Sequence, residues 1–160
     1  MKLLAALLPQ PKVKVLLSSE YFSVDGTLLE AWASTKSFRP KDGSGPPPDA
    51  GRNDEENFHG QKRSNETHAS TTDPDARLYR KGRGKEAKLA FMGHALMENR
   101  NGLIVGAVAT RASRQAERLA ARHLIEPHAD RPQKVTLAGD KGFDARDFLV
   151  RLPALLVVAA

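Results

Sequence analysis

The Asn-Gly dipeptide at residues 101–102 is the feature that most limits how this chain can fold. It lies between two apolar segments, residues 88–97, where apolar residues alternate with others, and residues 103–110. Asn-Gly between such segments is the strongest short-range signal for a tight turn that joins antiparallel strands. The sequence therefore predicts an antiparallel hairpin over residues 88–110.

A helix and a further strand are predicted directly after the hairpin. Ser113 opens a segment with helical apolar spacing that ends at Pro127, and residues 135–139 form an apolar strand that ends at Asp140. Strands joined through a crossover helix lie parallel in one sheet in nearly all proteins. The hairpin and the parallel strand together predict an α/β fold with a mixed sheet. The apolar positions of the predicted helix are Ala116, Leu119, Ala120 and Leu124.

The N-terminal part of the chain predicts one short strand and one helix. Residues 21–25 alternate apolar and polar side chains, which is typical of a half-buried strand. Thr27 and Glu30 then have capping-box spacing, which predicts a helix that continues to about Ser37. We expect Trp32 to lie on this helix in the packed core.

Two other segments are interpreted from their composition and caps. Residues 39–54 are rich in Pro and Gly and have no apolar period, so we predict disorder there. Residues 144–152 predict a short helix with Asp144 as its N-cap, closed by Pro153. The apolar run at residues 155–160 is too short to assign.

Composition narrows the function classes. The 160 residues contain no cysteine, which excludes disulfide frameworks, thiolate zinc sites and cysteine nucleophiles. The 25 Lys and Arg against 19 Asp and Glu give a net charge of +6, which favours nucleic acid as the partner class. The apolar run at residues 3–8 is shorter than a secretory signal needs, and no run reaches the ~18 apolar residues of a membrane span. We therefore expect a cytoplasmic protein without a membrane partner.

A basic segment precedes the hairpin. Six Lys and Arg residues stand between positions 77 and 88 against a single acid, Glu86, and Tyr79 lies among them. Such a segment can bind DNA phosphates, with the tyrosine ring stacking on a base. The other interpretation is a solvated charged loop, which is the commoner role of charge runs. The predicted DNA-binding residues are Arg77, Arg80, Lys81, Arg83, Lys85 and Lys88.

Two aspartates occupy matching positions at the ends of predicted strands. Asp25 ends the first strand, and Asp140 ends the strand after the crossover helix. Open α/β sheets place their sites in the crevice outside the carboxyl ends of the strands, so both carboxylates can line one crevice. The alternative is that each aspartate only forms a turn next to a glycine.

The histidines are weaker candidates for a metal site. His59 with His68, and His123 with His128, lack the spacing of two ligands on one helix face, so we interpret them as surface residues. His94 lies in the first strand of the hairpin, where it either faces the sheet crevice or packs in the core.

Four motifs carry a resemblance to a known family. They are Phe-Ser-Val-Asp-Gly-Thr-Leu-Leu-Glu-Ala-Trp (22–32), Thr-Thr-Asp-Pro-Asp-Ala-Arg-Leu-Tyr-Arg-Lys-Gly (71–82), Gly-His-Ala-Leu-Met-Glu-Asn-Arg-Asn-Gly-Leu-Ile-Val (93–105) and Ala-Gly-Asp-Lys-Gly-Phe-Asp (138–144). In this order they resemble the catalytic core of bacterial insertion-sequence transposases of the DDE type. The resemblance covers about residues 11–153 and implies a ribonuclease-H-like mixed sheet with flanking helices. It implies DNA transposition, with Asp25 and Asp140 as the first two catalytic acids.

The same resemblance implies a cofactor and partners. Transposases of this type use two Mg²⁺ or Mn²⁺ ions, roughly 3.5–4 Å apart, to activate a water or a 3′-hydroxyl for in-line attack on DNA. Asp25 and Asp140 are the implied metal ligands, because carboxylate oxygens suit such cations. The implied partners are insertion-sequence ends and target DNA. The sequence leaves the oligomeric state open between a single chain and a homo-oligomer.

One part of the family's pattern is missing. The family completes its site with a third acid, usually a Glu on a helix after a further strand, but no acid follows Asp147 in this sequence. Asp144 and Asp147 are poor substitutes, because their place after Asp140 favours capping and solvent exposure. We therefore expect a truncated copy with an incomplete metal site, a sheet that ends after residues 135–139, and no cleavage by this chain alone. The alternative function is a non-catalytic basic DNA-binding or interaction remnant.

The expected organisation follows from this resemblance. Residues 1–20 are a remnant of the family's N-terminal region, and residues 21–38 hold the first strand and helix of the catalytic core. Residues 39–86 form a polar, partly disordered insertion with the basic segment. The rest of the core occupies residues 87–153, and residues 154–160 are a tail.

Overall fold

A computed structural model describes residues 2–44, 63–82, 84–129, 134–140, 143 and 155–159. They belong to two compact units, one of Met1–Leu28 with Met92–Ala160 and the other of Leu29–Phe91. The helices are α1 (Lys2–Leu7), α2 (Pro11–Lys14) and α3 (Ala116–Ala129), and a 3₁₀ turn covers Thr35–Ser37. The strands are β1 (Tyr21–Glu30), β2 (Phe38–Pro40), β3 (His68–Ser70), β4 (Arg77–Tyr79), β5 (Lys88–Glu98), β6 (Leu103–Arg111), β7 (Val135–Gly139) and β8 (Leu155–Ala159). No helix in this described part is long and apolar enough to cross a membrane.

The sheet of the first unit is mixed, as the sequence predicts. Its strands run in the order β5, β1, β7, β8, and β6 also pairs with β5. β1 and β5 are antiparallel, because the amide of Asn99 donates to the carbonyl of Tyr21 at one end and the amide of Ala31 donates to that of Leu89 at the other. β1 and β7 are parallel neighbours. The two strands that the crossover helix joins, β6 and β7, lie in the same sheet, as predicted.

The core of the first unit lies between this sheet and α3. Phe22 and Leu137, on neighbouring strands, pack with Leu124 and Ile125 of the helix, and each is 7% exposed or less. Burying a side chain of this size stabilises the fold by roughly 1.5–3 kcal/mol. The helix-to-sheet packing therefore holds β1 and β7 in place beside each other.

The predicted helix is present, with shifted ends and one misplaced residue. α3 begins at Ala116 and continues past Pro127 to Ala129. Leu119, predicted on the apolar face, is 55% exposed. The buried residues of α3 centre on the side of Ala120 and Leu124, and at 100° per residue Leu119 lies on nearly the opposite side.

The predicted hairpin forms between β5 and β6 over a turn at residues 99–102. Gly102 has a φ of 69°, the left-handed conformation that the Asn-Gly signal predicts. The turn is held from inside by Glu98, whose side chain is fully buried. The carboxylate accepts hydrogen bonds from four backbone amides, those of Ser18, Arg100, Asn101 and Leu103.

The helix predicted for residues 27–37 is wrong. β1 continues as a strand to Glu30, and only the 3₁₀ turn Thr35–Ser37 is helical. Backbone pairing with β5 extends to Ala31, and Glu30 forms an ion pair with Lys88 instead of capping a helix. Long-range strand pairing thus overrides the local capping pattern.

The second unit contains a small sheet and its own core. β2 and β3 are antiparallel with Phe38 opposite Ser70, so the disorder predicted from residue 39 is wrong for residues 39–44, while residues 45–54 lie outside the described residues. β4 pairs with the start of β5, and the side chain of Asn65 bonds both backbone groups of Leu78. The polar segment at residues 39–86 is therefore largely ordered where the structure describes it.

The C-terminal segment corrects another expectation. The stretch at residues 154–160, expected to be a tail, contributes β8, which pairs in parallel with all five residues of β7. The sheet therefore does not end after β7. A five-residue apolar run has no period that identifies it, and only the neighbouring strand makes it part of a sheet. The helix predicted at residues 144–152 lies outside the described residues.

Candidate active site

Asp25, in the middle of β1, and Asp140, directly after β7, are neighbours in the register of two parallel strands. The prediction that Asp25 ends its strand is wrong, because β1 continues to Glu30. The register of β1 and β7 pairs Ser23 with Ala138. Continued for two residues, this register brings Asp25 beside Asp140, which directly follows β7. Neighbouring strands lie about 4.8 Å apart, so the two backbones run at this spacing. The structure thus brings together the two acids that the sequence motifs single out.

Both carboxylates are exposed, although they stand next to the core. In β1 the buried Phe22 and Val24 alternate with Ser23 and Asp25, so Asp25 belongs to the sheet face that turns away from α3. Asp140 is exposed at the end of a strand whose Val135, Leu137 and Gly139 are buried. Exposed carboxylates keep their hydration shells, which a bound cation can replace.

Gly26 orients Asp25 and makes room beneath it. Its amide donates to Oδ1 of Asp25 at 2.7 Å, which ties the carboxylate to the strand. A Cβ at this position would lie 3.1 Å from Cγ of Glu117 and 3.2 Å from Nδ1 of His94. The absence of a side chain at Gly26 therefore lets β5 and α3 approach β1 directly behind Asp25.

His94 packs in the core and does not face the crevice of the two acids. It is 3% exposed, and its Nε2 lies 2.9 Å from Oγ1 of Thr110. Burial lowers the pKa of His94 below its ordinary value, because the charged form would lose its hydration. Of the two placements that the sequence leaves open, the structure selects the packed one.

Phe143 packs against Gly139 and bonds to the backbone of Asp140. The amide of Phe143 donates to the carbonyl of Asp140 at 3.0 Å. The ring of Phe143 is buried against Gly139, where an added Cβ would come within 2.7 Å of Cδ2. No side chain fits there, so the Ala-Gly-Asp motif places Asp140 at a position set by close packing of the backbone against an aromatic ring.

The donor set of the two acids fits a magnesium-like cation. Mg²⁺ is commonly held by one or two carboxylates, while waters and substrate phosphates complete its shell. Asp25 and Asp140 supply two such carboxylates at neighbouring positions. Among the described residues no cluster of three or more His, Asp or Glu could enclose a metal ion. Asp144 and Asp147 lie outside the described residues.

The predicted DNA-binding residues, all in the second unit, fall into different environments. Arg77 is half-buried in β4 and donates to the carbonyls of Pro74 and Ala76. Lys88 pairs with Glu30 at 2.5 Å, and this hydrogen bond raises the pKa of the lysine. The exposed residues are Arg80, Lys81 and Lys85, whereas Arg83 lies outside the described residues.

The remaining histidines do not form a metal site in the described part of the chain. His68 stacks on Phe38, with ring centroids 5.4 Å apart, and the ring of His128 lies 4.8 Å from that of Phe22. These two rings are therefore half-buried packing groups and not the surface residues that the sequence predicts. His123 is exposed, and His59 lies outside the described residues.

Sequence reasoning missed the structural role of Glu98. The signal was an acid directly before an Asn-Gly turn, where the turn amides point back toward the preceding strand.

Comparison of the chain with profiles of known protein families, with curated proteins and with solved structures found no match in any of the three.

Proposed function

We propose that this chain is a ribonuclease-H-like domain of the DDE transposase type without cleavage activity of its own, in which Asp25 and Asp140 bind Mg²⁺ or Mn²⁺ at a DNA phosphodiester. The observation that supports the proposal is the strand register, which pairs Ser23 with Ala138 and, continued for two residues, puts Asp25 opposite Asp140. Two carboxylates on neighbouring parallel strands are what a metal-dependent phosphotransferase needs in order to hold a cation against a phosphate. Their exposure leaves room for a large substrate.

The fold of the first unit supports the same proposal. β1 lies inside a mixed sheet, antiparallel to β5 and parallel to β7, and α3 covers one face. This agrees with a ribonuclease-H-like sheet with flanking helices. The face that carries Asp25 is the one away from α3, so the helix does not obstruct the two acids.

Each residue around the site has a definable part in the proposed chemistry. Asp25 and Asp140 would bind the cation, which supplies charge neutralisation and an activated water or 3′-hydroxyl. Gly26 fixes one oxygen of Asp25 through its amide, and the amide of Phe143 bonds to the backbone carbonyl of Asp140. Ligands fixed in this way need little reorganisation when the phosphate arrives.

Charge limits what these two acids can do alone. Two aspartates supply a charge of −2 against +4 for two divalent ions, and no acid follows Asp147 in the sequence. We therefore expect binding of metal without cleavage or strand transfer by this chain alone. A second copy, Asp144 or Asp147 would have to supply the third carboxylate for activity.

Binding of Mn²⁺ to the full chain, followed by water-proton relaxation, tests the proposed metal site. Asp25→Asn and Asp140→Asn should each weaken binding by at least the roughly 10-fold that even an outer partner of a metal ligand contributes. Asp42→Asn is the matched control, because Asp42 is an exposed aspartate that already accepts hydrogen bonds from Ser44. Equal Mn²⁺ affinity in wild type and both site variants would overturn the proposal.

A supercoiled-plasmid nicking assay tests the expected lack of activity. Wild type and Asp25→Asn should both remain at background with Mg²⁺ or Mn²⁺. Metal-dependent nicking that disappears in Asp25→Asn would contradict the expected inactivity and would show that the third carboxylate is supplied.

The second candidate function is a non-catalytic basic DNA-binding module. The observation that favours it is the exposure of Arg80, Lys81 and Lys85, which leaves these cations open to phosphates. Each phosphate contact contributes a slope of about −0.9 in log affinity against log salt on duplex DNA. Salt-dependent DNA binding without any Mn²⁺ binding would select this candidate over the first.

A further inference from the structure

Trp32 is fully exposed in the second unit. It is 99% exposed, although it is the single tryptophan of the chain and belongs to a residue type that is normally well buried. The sequence places this residue in the core, and the structure contradicts that prediction. A large aromatic surface left entirely in water calls for an explanation in terms of a partner.

The backbone around Trp32 is anchored on both sides. Ala31 and Ala33 pack against the small core of Phe38 and Leu89, and the amide of Ala31 donates to the carbonyl of Leu89 at 2.8 Å. The segment thus alternates inward, outward and inward, with the indole on the outward position. The backbone that carries the exposed indole of Trp32 is therefore held in place on both sides.

Ala33, the inward-facing residue after Trp32, is followed by a short turn that Ser34 caps. Ser34 accepts a hydrogen bond from the amide of Lys36 at the start of the 3₁₀ turn Thr35–Ser37. The cap sets the direction of the chain immediately beyond the tryptophan. Lys36 is exposed in the same turn.

Exposed basic residues occur at the same end of the sheet. Trp32 comes one residue after Ala31, which pairs with Leu89, while the neighbouring Lys88 pairs with Tyr79 at the end of β4. Because β5 lies between β1 and β4, the ends of these two strands are two strand spacings apart, a distance of about 10 Å. Arg80 and Lys81 directly follow Tyr79 at the end of β4, so a ligand bound on the indole lies within their reach.

The local charge favours an anionic ligand. Arg80, Lys81 and Lys85 are exposed, as is the one acid of this loop, Glu86. Glu30, at the end of β1, is paired with Lys88 and contributes no net charge. The exposed part of the loop therefore remains basic.

We propose that Trp32 and the exposed cations of residues 80–85 bind single-stranded DNA, with the indole stacked on an unpaired base and Arg80 and Lys81 on neighbouring phosphates. Stacking requires the open face of a base, which a duplex hides between its neighbours. Basic side chains beside an exposed aromatic ring form the combination that single-strand surfaces use. The inference goes beyond the proposed metal site and shares with it only the nucleic-acid partner. It requires no metal ion, so either proposal can fail without the other.

Intrinsic fluorescence gives a direct test, because Trp32 is the only tryptophan. A twelve-residue oligothymidylate, titrated into the full chain without divalent metal, should quench the emission as a thymine stacks on the indole. A duplex of the same length should bind without comparable quenching. Binding followed separately by the anisotropy of labelled oligothymidylate should weaken roughly 5- to 150-fold in Trp32→Ala, the range that removal of one stacked aromatic ring produces.

Variants separate stacking from charge. Trp32→Phe should recover part of the affinity, and Trp32→Ala should leave the salt dependence unchanged. Arg80→Ala with Lys81→Ala should reduce the slope of log affinity against log salt by about 1.4, or ~0.7 for each lost phosphate contact. Tyr21→Ala, which removes a 55% exposed ring in the first unit, should have no effect on either quantity.

Three outcomes would overturn the inference. One is binding of oligothymidylate at saturation without any change in tryptophan emission. Another is equal quenching by single strand and duplex, which would assign the surface to duplex DNA. The third is a blue shift of the emission that grows with protein concentration in the absence of DNA, which would show that a second copy of the chain covers Trp32.

Discussion

Acidic side chains in the first unit stand in two opposite environments. Glu98 is 0% exposed at the end of β5, and its two oxygens accept hydrogen bonds from four backbone amides. Asp25, within β1, and Asp140, directly after β7, are exposed. Asp25 accepts its hydrogen bond from the amide of the next residue, Gly26.

The difference shows how a fold separates structural acids from candidate ligands. A buried carboxylate must have hydrogen-bond donors, and Glu98 takes them from the turn and from the segment before β1. These bonds join parts of the chain that are far apart in sequence, so Glu98 stabilises the fold. Asp25 accepts a local hydrogen bond from Gly26, and both carboxylates of the pair are exposed to solvent, where a cation can bind. We expect substitution of Glu98 to affect stability and substitution of Asp25 or Asp140 to affect ligand binding.

The largest effect is expected for Glu98→Ala. Four backbone amides would lose their acceptor, that of Ser18 in a buried hydrogen bond and the other three in partly buried ones. An unsatisfied buried group costs about 1–3 kcal/mol, so the free energy of unfolding should fall by about 2–3 kcal/mol. Urea unfolding measures this loss. Glu98→Gln keeps one acceptor oxygen and should lose less. Unchanged stability in Glu98→Ala would remove the contrast between the two kinds of acid.

Gly26→Ala should produce the next largest effect. The added Cβ would meet Glu117 and His94 at 3.1–3.2 Å, so the free energy of unfolding should fall by about 1–2 kcal/mol. Shortening the opposing side chain in the double variant with Glu117→Ala should recover part of this loss. Gly82→Ala is the control, because no atom lies within 4 Å of the added methyl group. Equal effects at the two glycines would show that Gly26 is not packed as described.

The pH dependence of stability sharpens the comparison further. Burial alone would raise the pKa of Glu98, but the four amide donors outweigh it and hold the pKa below the ordinary value of 4.5. The stabilisation is therefore complete above pH 4.5 and is lost as the pH falls through the folded-state pKa. In urea unfolding at a series of pH values, the advantage of wild type over Glu98→Gln should shrink below pH 4.5. A constant advantage at lower pH would contradict this assignment.

Asp25→Asn should have the smallest effect on stability. The side chain is exposed and the amide oxygen can still accept the hydrogen bond from Gly26, so thermal unfolding should change by no more than about 0.5 kcal/mol. The same variant should lose Mn²⁺ binding, which separates the ligand role from folding. A loss of stability comparable to that of Glu98→Ala would place Asp25 among the structural acids.

Several elements followed from local sequence patterns. The Asn-Gly signal predicted the hairpin turn, where Gly102 adopts a φ of 69°. Helical spacing predicted α3, and the apolar run before Asp140 predicted β7. Turn chemistry and side-chain period act between residues close in the chain, so such elements are readable without knowledge of the fold.

Other features depended on partners distant in the sequence. The capping pattern at Thr27 and Glu30 predicted a helix, but pairing with β5 kept the segment extended as far as Glu30. The same change took Trp32 out of the predicted core and exposed it. Glu98 gave no sign of burial by itself, because its donors include the amide of Ser18, 80 residues away.

The sequence by itself determined the hairpin, the crossover helix and the strand that Asp140 directly follows. The tertiary structure decided that Asp25 and Asp140 lie beside each other, because the register of two parallel strands depends on how α3 packs both against one core. It also decided which acid is buried and which aromatic ring is exposed. Periodicity and turn signals are properties of neighbouring residues, whereas register and burial arise only when segments far apart in the chain exclude water together.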